Sequence, residues 1–281
     1  MRRALAIQKE VAQVGTIKDL TSAFEGIASL RIAKIKNKVT ASQLFFAELW
    51  QIYRQLRVDP NQRLTHSKHR SNSKAKDVFI AVTSDGGLSG DIDEKIVKQL
   101  LVQYDEKATD IIVIGAHGAT LLTQRGVRIS KYFKLPDTDK PLDVSPIISC
   151  LDGYRQTAVF YESYVSLAVQ EVRRIDLISA VQTLSGQLEP DQGVISGRDY
   201  LFEPSLDEVA SYMESVMLGI ALSQVLLDSK LAQYASRFNA MSMAESRAKE
   251  LASDLRLDYN RAKRGESDKR LKEVVNSLEA N

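Results

Sequence analysis

The prolines of this chain are confined to its interior. All six lie between Pro60 and Pro204, so the first 59 and the last 77 residues contain none, and ten of the fourteen glycines fall between Gly86 and Gly197. Proline in a helix interior costs about 3 kcal/mol, and glycine about 1 kcal/mol relative to alanine. The two stretches therefore predict two helices far longer than the usual mean of about 11–12 residues. Helices of this length favour a mechanical or scaffolding role over pocket chemistry.

The first predicted helix occupies residues 1–59, and its apolar side chains recur mostly every three or four residues, as one helix face requires. It ends at Asp59, because the residue before a proline is biased away from helical backbone. Residues 1–57 carry ten Lys or Arg against four Asp or Glu, which fits either a solvated basic face or a partner surface. The predicted apolar stripe consists of Ile7, Val11, Val14, Ile17, Leu20, Phe24, Ile27, Ile35, Val39, Leu44, Phe45, Leu49, Ile52, Tyr53 and Leu56.

The second predicted helix occupies residues 204–281 and begins with a capping-box pattern, in which Ser205 stands three residues before Glu208. Its apolar positions also recur every three or four residues, so this helix needs a partner. Two such helices flanking one domain predict an antiparallel coiled coil. The predicted stripe consists of Val209, Met213, Val216, Ile220, Leu226, Leu227, Leu231, Tyr234, Phe238, Met241, Ala248, Leu251, Leu255, Ala262, Leu271, Val274 and Leu278.

The region between the helices divides into a basic connector, residues 60–76, and a central α/β domain, residues 77–203. Short apolar runs alternate there with glycine-rich turns and helical patterns, which favours a mostly parallel, Rossmann-like sheet. The fold class is thus α/β with long helices. The predicted strands are 78–82, 111–114, 130–133 and 200–202, and the predicted helices are 91–104 and 119–124. Residues 159–175 are predicted to be extended, and residues 177–184 to form a helix or a strand. A loop is marked by Pro136, Pro141 and Pro146.

Two turns in the central domain suggest the hypothesis of a nucleotide-binding site, because in each of them glycines follow a strand and precede a helix. They contain Gly86, Gly87 and Gly90 in the first turn, and Gly115 and Gly118 in the second. Neither contains the phosphate-binding pattern G-x-x-x-x-G-K-[ST], so we interpret these glycines as structural. A nucleotide-dependent enzyme that uses the first turn stays a minor alternative, and no cofactor is predicted.

The sequence does not predict a metal site, a disulfide, nucleic-acid binding or a membrane span. His66 and His69 have no Cys or clustered acid nearby, so no metal site is predicted. The single cysteine, Cys150, cannot form a disulfide within the chain, and the net charge of +2 gives no nucleic-acid signal. No run of about 18 apolar residues is present, so we expect no transmembrane segment of its own.

Five segments in order resemble the gamma subunit of F-type ATP synthases. Tyr200-Leu-Phe-Glu-Pro-Ser-Leu-Asp-Glu208 is similar to the family's Y-x-x-E-P-S-x-x-E, Ala235-Ser-Arg-Phe-Asn-Ala-Met241 to its R-M-x-A-M segment, and Leu257-Asp-Tyr-Asn-Arg-Ala-Lys263 to its L-x-Y-N-x-A-R. Ser84-Asp-Gly-Gly-Leu-Ser-Gly90 resembles its S-D-R-G-L-C-G turn, and residues 17–32 resemble its first-helix pattern. The chain is identified as a divergent member of this family.

The resemblance also implies contact residues. The family's Arg-Gln pair that touches the catalytic subunits falls on Lys263 and Arg264, and a Thr contact four residues beyond the Gln falls on Asp268. In the first helix, Glu25 takes the place of a usual base. Basic contacts to acidic loops are expected from Arg31 and Lys34, together with Lys36 and Lys38.

The function that the resemblance implies is a non-catalytic central rotor shaft. It would couple a proton- or sodium-driven c ring to ATP synthesis or hydrolysis in the hexamer of alpha and beta subunits, with epsilon as a further partner. The expected location is the cytoplasmic face of a bacterial plasma membrane, as a peripheral part of the complex. Two alternatives stay open: the shaft of a specialised ATPase that works mainly in hydrolysis, and a non-rotary coiled-coil scaffold.

Overall fold

The computed structural model describes residues 4–55, 76–135, 143–151, 153–179, 181, 203 and 205–279. The chain forms two compact units. We call Met1–Ser29 with Arg237–Asn281 the helical unit, and Leu30–Ser236 the α/β unit. The predicted end of the first helix, most of the predicted connector and the predicted strand 200–202 lie outside the described residues.

The two long predicted helices are present. Helix α1 spans Ala4–Gln55, 52 residues, and helix α5 spans Leu206–Glu279, 74 residues. The N–H of Val209 donates to the carbonyl of Ser205, and the N–H of Glu208 donates to the Ser205 hydroxyl at 3.2 Å, so Ser205 caps α5 as its sequence predicts. The antiparallel coiled coil and the α/β domain of the predicted fold class are both confirmed.

The α/β unit contains, within the described residues, one sheet in the order β3-β2-β1-β4-β5. Its first four strands in chain order are parallel, and β5 pairs antiparallel with β4. The predicted extended stretch 159–175 is in fact a hairpin of two strands. The strands are β1 Asp77–Val82, β2 Thr109–Ile114, β3 Lys131–Phe133, β4 Thr157–Tyr164 and β5 Gln170–Asp176.

Both faces of the central strands are covered, which explains why β1 and β2 read as continuous apolar runs. One face packs against helices α2, Ile92–Gln103, and α3, Ala116–Gln124. The opposite face packs against α5, with Met217, Leu222 and Leu226 buried in that core. Pro146, predicted to lie in a loop, is instead the second residue of the short helix α4, Ser145–Ile148, where proline needs no backbone donor.

Helix α5 contains an 18-residue window, within Glu208–Leu278, whose mean hydropathy of 1.4 would suit a membrane span by length and composition; half of that window is buried inside the protein. The most apolar part of α5 is the part that packs on the sheet. Packing on the sheet requires apolar side chains just as a membrane span does, so the hydropathy of this window does not by itself indicate a span.

The seam of the helical unit differs from the predicted stripe. In α1 the buried residues Ile7, Val14, Thr21 and Ala28 are seven residues apart, as the seam of a two-stranded coiled coil requires. Ile7 and Val14 pack on α5, where Ala248 and Leu255 are buried, and the N–H of Ala4 donates to Glu266 Oε1 at 3.0 Å.

Part of the predicted stripe on α1 was wrong for a geometric reason. Ile17, Leu20, Phe24 and Ile27 are all exposed. Each precedes by one residue a position that is half-buried, Lys18 and Glu25, or buried, Thr21 and Ala28, which turns it about 100° around the helix. Leu44, Phe45 and Ile52 are likewise exposed, whereas Phe46 and Tyr53 are buried. Leu251, Leu271, Val274 and Leu278 of the predicted α5 stripe are exposed as well.

Within the α/β unit, α1 and α5 also run antiparallel. Gln224 Nε2 donates to the carbonyl of Val39 at 3.5 Å, and the Tyr53 hydroxyl donates to Glu214 Oε1 at 2.7 Å, so residue numbers fall along α5 as they rise along α1. Ile35 is fully buried there against Leu227 and Leu231.

Candidate partner-contact surface

The most unusual surface of the helical unit is an apolar row on α1. Ile17, Leu20, Phe24 and Ile27 are exposed to 51%, 53%, 39% and 51%, and their spacing places them on one side of the helix. We call these four residues the α1 stripe. A two-helix coiled coil normally buries its apolar side chains in the seam, so a second, uncovered row indicates a surface for another protein.

The seam beside the α1 stripe is comparatively polar. Thr21 is buried with its hydroxyl donating to the carbonyls of Ile17 and Lys18, and Glu25 and Lys18 are half-buried. Ala28 completes this part of the seam with the smallest apolar side chain. The apolar surface of this stretch of α1 is therefore turned outward.

The predicted contact residues fall into separate groups. Lys263, Arg264 and Asp268 are all exposed on α5. They lie next to Glu266, which accepts a hydrogen bond from the N–H of Ala4 at the start of α1. Glu25 lies 21 residues further along α1 than Ala4, about 30 Å at 1.5 Å per residue, so the helical unit does not bring Glu25 together with the α5 group.

The remaining predicted contacts belong to the α/β unit. Arg31 is half-buried and Lys34 is exposed, while Lys36 places its Nζ 5.9 Å from the ring centroid of Tyr164, within reach of a cation–π contact.

The last apolar residues of the helical unit, Leu271, Val274 and Leu278, were predicted to pack against the first helix. All three are exposed on the last turns of α5, beyond the residue that meets Ala4.

Thr83, the residue after β1, lies against both glycines of the second turn. A Cβ at Gly115, where φ is +108°, would lie 2.1 Å from the Thr83 carbonyl oxygen, and a Cβ at Gly118 would lie 2.4 Å from Thr83 Oγ1. Gly90 has φ +71° and faces Ser236 Oγ on α5, whereas Gly86 and Gly87 face open space. Thr83 Oγ1 donates to the carbonyl of Ile114 and accepts from the N–H of Gly118, both at 3.1 Å.

A polar cluster, which the sequence analysis did not identify, fills the first turn. Asp93, 1% exposed, accepts from the Ser84 N–H at 3.1 Å, from the Ser84 hydroxyl at 2.5 Å and lies 2.7 Å from His117 Nδ1. Glu162, at the carboxyl end of β4, is also buried, and burial, with the nearby Asp93 charge, raises its pKa to about 8. In the sequence Glu162 interrupts an apolar run, which is a signal, whereas Asp93 stands among other charged residues and gives none.

This cluster argues against the alternative in which the first turn binds a nucleotide. The strand order reverses at β1, and in open α/β sheets ligands bind at the carboxyl ends of strands around such a point. Here a carboxylate of the protein, Asp93, already takes the Ser84 N–H that would otherwise face an anion. Its charge disfavours a phosphate in the same place. Among the described residues, no group of three or more His, Cys, Asp or Glu is arranged to hold a metal.

Comparisons with known proteins agree on one family. A family model described as ATP synthase matches residues 4–280. The gamma chain of Staphylococcus epidermidis ATP synthase is 27% identical over 296 residues, covering 95% of this chain and 99% of its own length. The gamma chain of Bifidobacterium adolescentis ATP synthase is 26% identical over 308 residues, covering 100% and 98%.

Solved structures show the same fold. A chain of the mitochondrial ATP synthase of Euglena gracilis, in a structure of its OSCP, F1 and c-ring, superposes with a TM-score of 0.63 at 13% identity, covering 98% of this chain and 94% of the other. A chain of the central stalk and c-ring of the Tetrahymena thermophila mitochondrial ATP synthase gives a TM-score of 0.57 at 18% identity, covering 80% and 99%.

Proposed function

This chain belongs to the ATP synthase family whose members include the gamma chains, and from that premise we propose that it is the central rotor shaft of an F-type ATP synthase. The shaft couples rotation of a c ring, driven by protons or sodium ions, to ATP synthesis or hydrolysis in a hexamer of alpha and beta subunits. Epsilon is a further partner. The chain itself is non-catalytic and is peripheral on the cytoplasmic face of a bacterial plasma membrane.

The observation that carries this proposal is the α1 stripe. The seam of the coiled coil is already occupied by Ile7, Val14, Thr21 and Ala28, so the stripe faces away from α5. Four large apolar residues in one row are costly to leave in water, since burial of such a side chain contributes about 1.5–3 kcal/mol. A ring of subunits around the coiled coil supplies the missing cover.

The surface of the helical unit differs in chemistry from one part to another, and a shaft requires such asymmetry. The α1 stripe is apolar, whereas Lys263, Arg264 and Asp268 make part of α5 charged. A non-catalytic rod changes the populations of open and closed catalytic subunits only if it contacts the two conformations differently. Rotation of an asymmetric rod presents each catalytic subunit with a different side in turn.

The charged contacts are individually weak in this proposal. Lys263, Arg264 and Asp268 are exposed, and exposed ion pairs contribute about 0–1 kcal/mol each. Torque is therefore spread over many contacts, with Glu25, Arg31 and Lys34 as further members. The hydrolytic shaft and the rotary synthase share this surface, and nothing in the described residues favours one over the other.

Reconstitution tests the proposal. Leu20→Ser combined with Phe24→Ser removes apolar area that is exposed in the isolated chain, so its thermal stability should change little. Binding to alpha and beta subunits should weaken by about 2 kcal/mol, roughly thirtyfold. The matched control is Val102→Ser, because Val102 is a single apolar residue exposed to 80% on α2.

The expected result is weaker assembly and lower shaft-dependent ATP hydrolysis for the double variant, with the Val102→Ser control unchanged. A double variant that assembles as tightly as the wild type would refute the role of the α1 stripe. Failure of the wild-type chain to bind alpha and beta subunits at all would favour the non-rotary scaffold.

A further inference from the structure

Glu162 is a buried acid in a place that the shaft function does not explain. It follows Ala158 and Phe160 at every second position of β4, so it faces the layer of the α/β unit that α2 covers. The residue is 1% exposed, and neither carboxyl oxygen has a hydrogen-bond partner among the described residues. An ionised carboxyl group without partners is strongly disfavoured in such a site, so the neutral acid is the stable form.

The charged groups around Glu162 mostly oppose its ionisation. At the start of α2 stand Asp91 and Asp93, and from α5 comes Asp228, which accepts from the N–H of Tyr164. The cation among the neighbours is Lys95, which pairs with Asp91 at 3.0 Å. Across the hairpin, the partner of Glu162 on β5 is Val172, an apolar residue.

The lid over this site is the segment Ser84–Asp93, which joins β1 to α2. It is held by the hydrogen bonds of Ser84 to Asp93, by α3 and by the Ser236 hydroxyl, which donates to the carbonyl of Ser89 at 2.7 Å. From α3, the N–H of His117 donates to the carbonyl of Ser84 and the N–H of Ala116 to Asp85 Oδ1, both at 3.0 Å, and His117 Nδ1 lies 2.7 Å from Asp93 Oδ2. Leu88, at the tip of the segment, has φ +71° and is 55% exposed. A non-glycine residue in that conformation stores strain, which favours opening of the segment over opening of the sheet.

We propose that Ser84–Asp93 is a pH-sensitive latch, closed over the protonated carboxyl of Glu162 and released when Glu162 ionises. The open form admits water to the carboxylate, whereas the closed form does not. Release frees Ser236 from Ser89, and so detaches the segment from α5 within the α/β unit. The proposal concerns the isolated chain and does not depend on the rotor function.

Linkage sets the size of the effect. The pKa of Glu162 is about 8 in the closed form, because of burial first and the Asp93 charge second, and its ordinary value in water is 4.5. The open-to-closed ratio therefore rises about tenfold per pH unit between these two values and levels off above pH 8. Between pH 6 and pH 8 the open-to-closed ratio of the latch should increase about fiftyfold.

Hydrogen exchange of the full-length chain tests the latch. The protection factors of amides in 84–93, corrected for intrinsic exchange, should fall about tenfold per pH unit from pH 5.5 to about 8 in the wild type. In Glu162→Gln they should be independent of pH. The matched control is Glu171→Gln on β5, an exposed acid of the same hairpin paired with Arg173, and it should keep the wild-type slope.

A wild-type slope that persists in Glu162→Gln, or protection that does not change with pH in the wild type, would overturn the proposal. The carboxyl carbon of Glu162, followed by NMR in the wild-type chain, provides the second measurement if the variant does not fold. A titration midpoint near 8 supports the latch, and a midpoint below 6 refutes it.

Discussion

Thr83 and Gly118 offer a stringent test of how the glycine turns are built. Gly118 lies inside α3, where replacement by alanine would normally stabilise a helix by about 1 kcal/mol. Here the new Cβ would lie 2.4 Å from Oγ1, 2.5 Å from Cγ2 and 2.9 Å from Cβ of Thr83, and Thr83 is fully buried. Overpacking of a core costs about 1–3 kcal/mol. We expect Gly118→Ala to lower the free energy of unfolding by about 1–2 kcal/mol.

A double-mutant cycle isolates the cause. Thr83→Ala removes Oγ1 and Cγ2, and by itself it is destabilising because the N–H of Gly118 loses its acceptor. In the Thr83→Ala background only the 2.9 Å contact with the Thr83 Cβ remains, so Gly118→Ala should cost less than it does in the wild type, which gives a coupling energy of about 1 kcal/mol. The control is Gly86→Ala, whose Cβ would meet no atom within 4 Å.

Urea denaturation followed by circular dichroism measures all four stabilities. The reasoning would be refuted if Gly118→Ala were as stable as the wild type. It would also be refuted if the loss were the same with and without the Thr83 side chain, because the collision would then not be its source.

Three other substitutions and one pH profile give further tests. The stability of Glu162→Gln relative to the wild type should rise by about 1 kcal/mol per pH unit between pH 4.5 and about 8, with no difference that grows below pH 4.5. The reason is that the raised pKa of folded Glu162 makes the stability of the wild type fall as the pH rises. Urea titrations at several pH values measure this difference. Tyr53→Phe removes the hydroxyl that donates to Oε1 of buried Glu214 and should cost about 1–3 kcal/mol in the same assay. Ile35→Ala should cost about 2–4 kcal/mol, since Ile35 is fully buried. Lys263→Ala should weaken binding to the alpha and beta subunits by no more than about 1 kcal/mol, and complete loss of ATPase coupling would contradict distributed contacts.

Periodicity was a reliable guide to the elements but a poor guide to their faces. Long stretches without proline and with few glycines predict long helices, because each of these residues destabilises a helix at its own position, whatever the rest of the fold. Which row of α1 enters the seam depends on the partner helix, because two rows offset by one residue have the same spacing of three and four residues. Ile17, Leu20, Phe24 and Ile27 satisfied the local rule, yet the partner helix meets the residues one position later.

The sequence alone determined the two long helices, the parallel strands between them and the glycine turns, since each of these rests on interactions between near neighbours in the chain. Only the tertiary structure decided that Asp93 lies in the first turn, that Glu162 is buried without a partner and that the α1 stripe faces outward. Burial depends on residues far apart in the chain. Glu162 is one acid among many until β4 and α2 enclose it, and enclosure is what changes its chemistry.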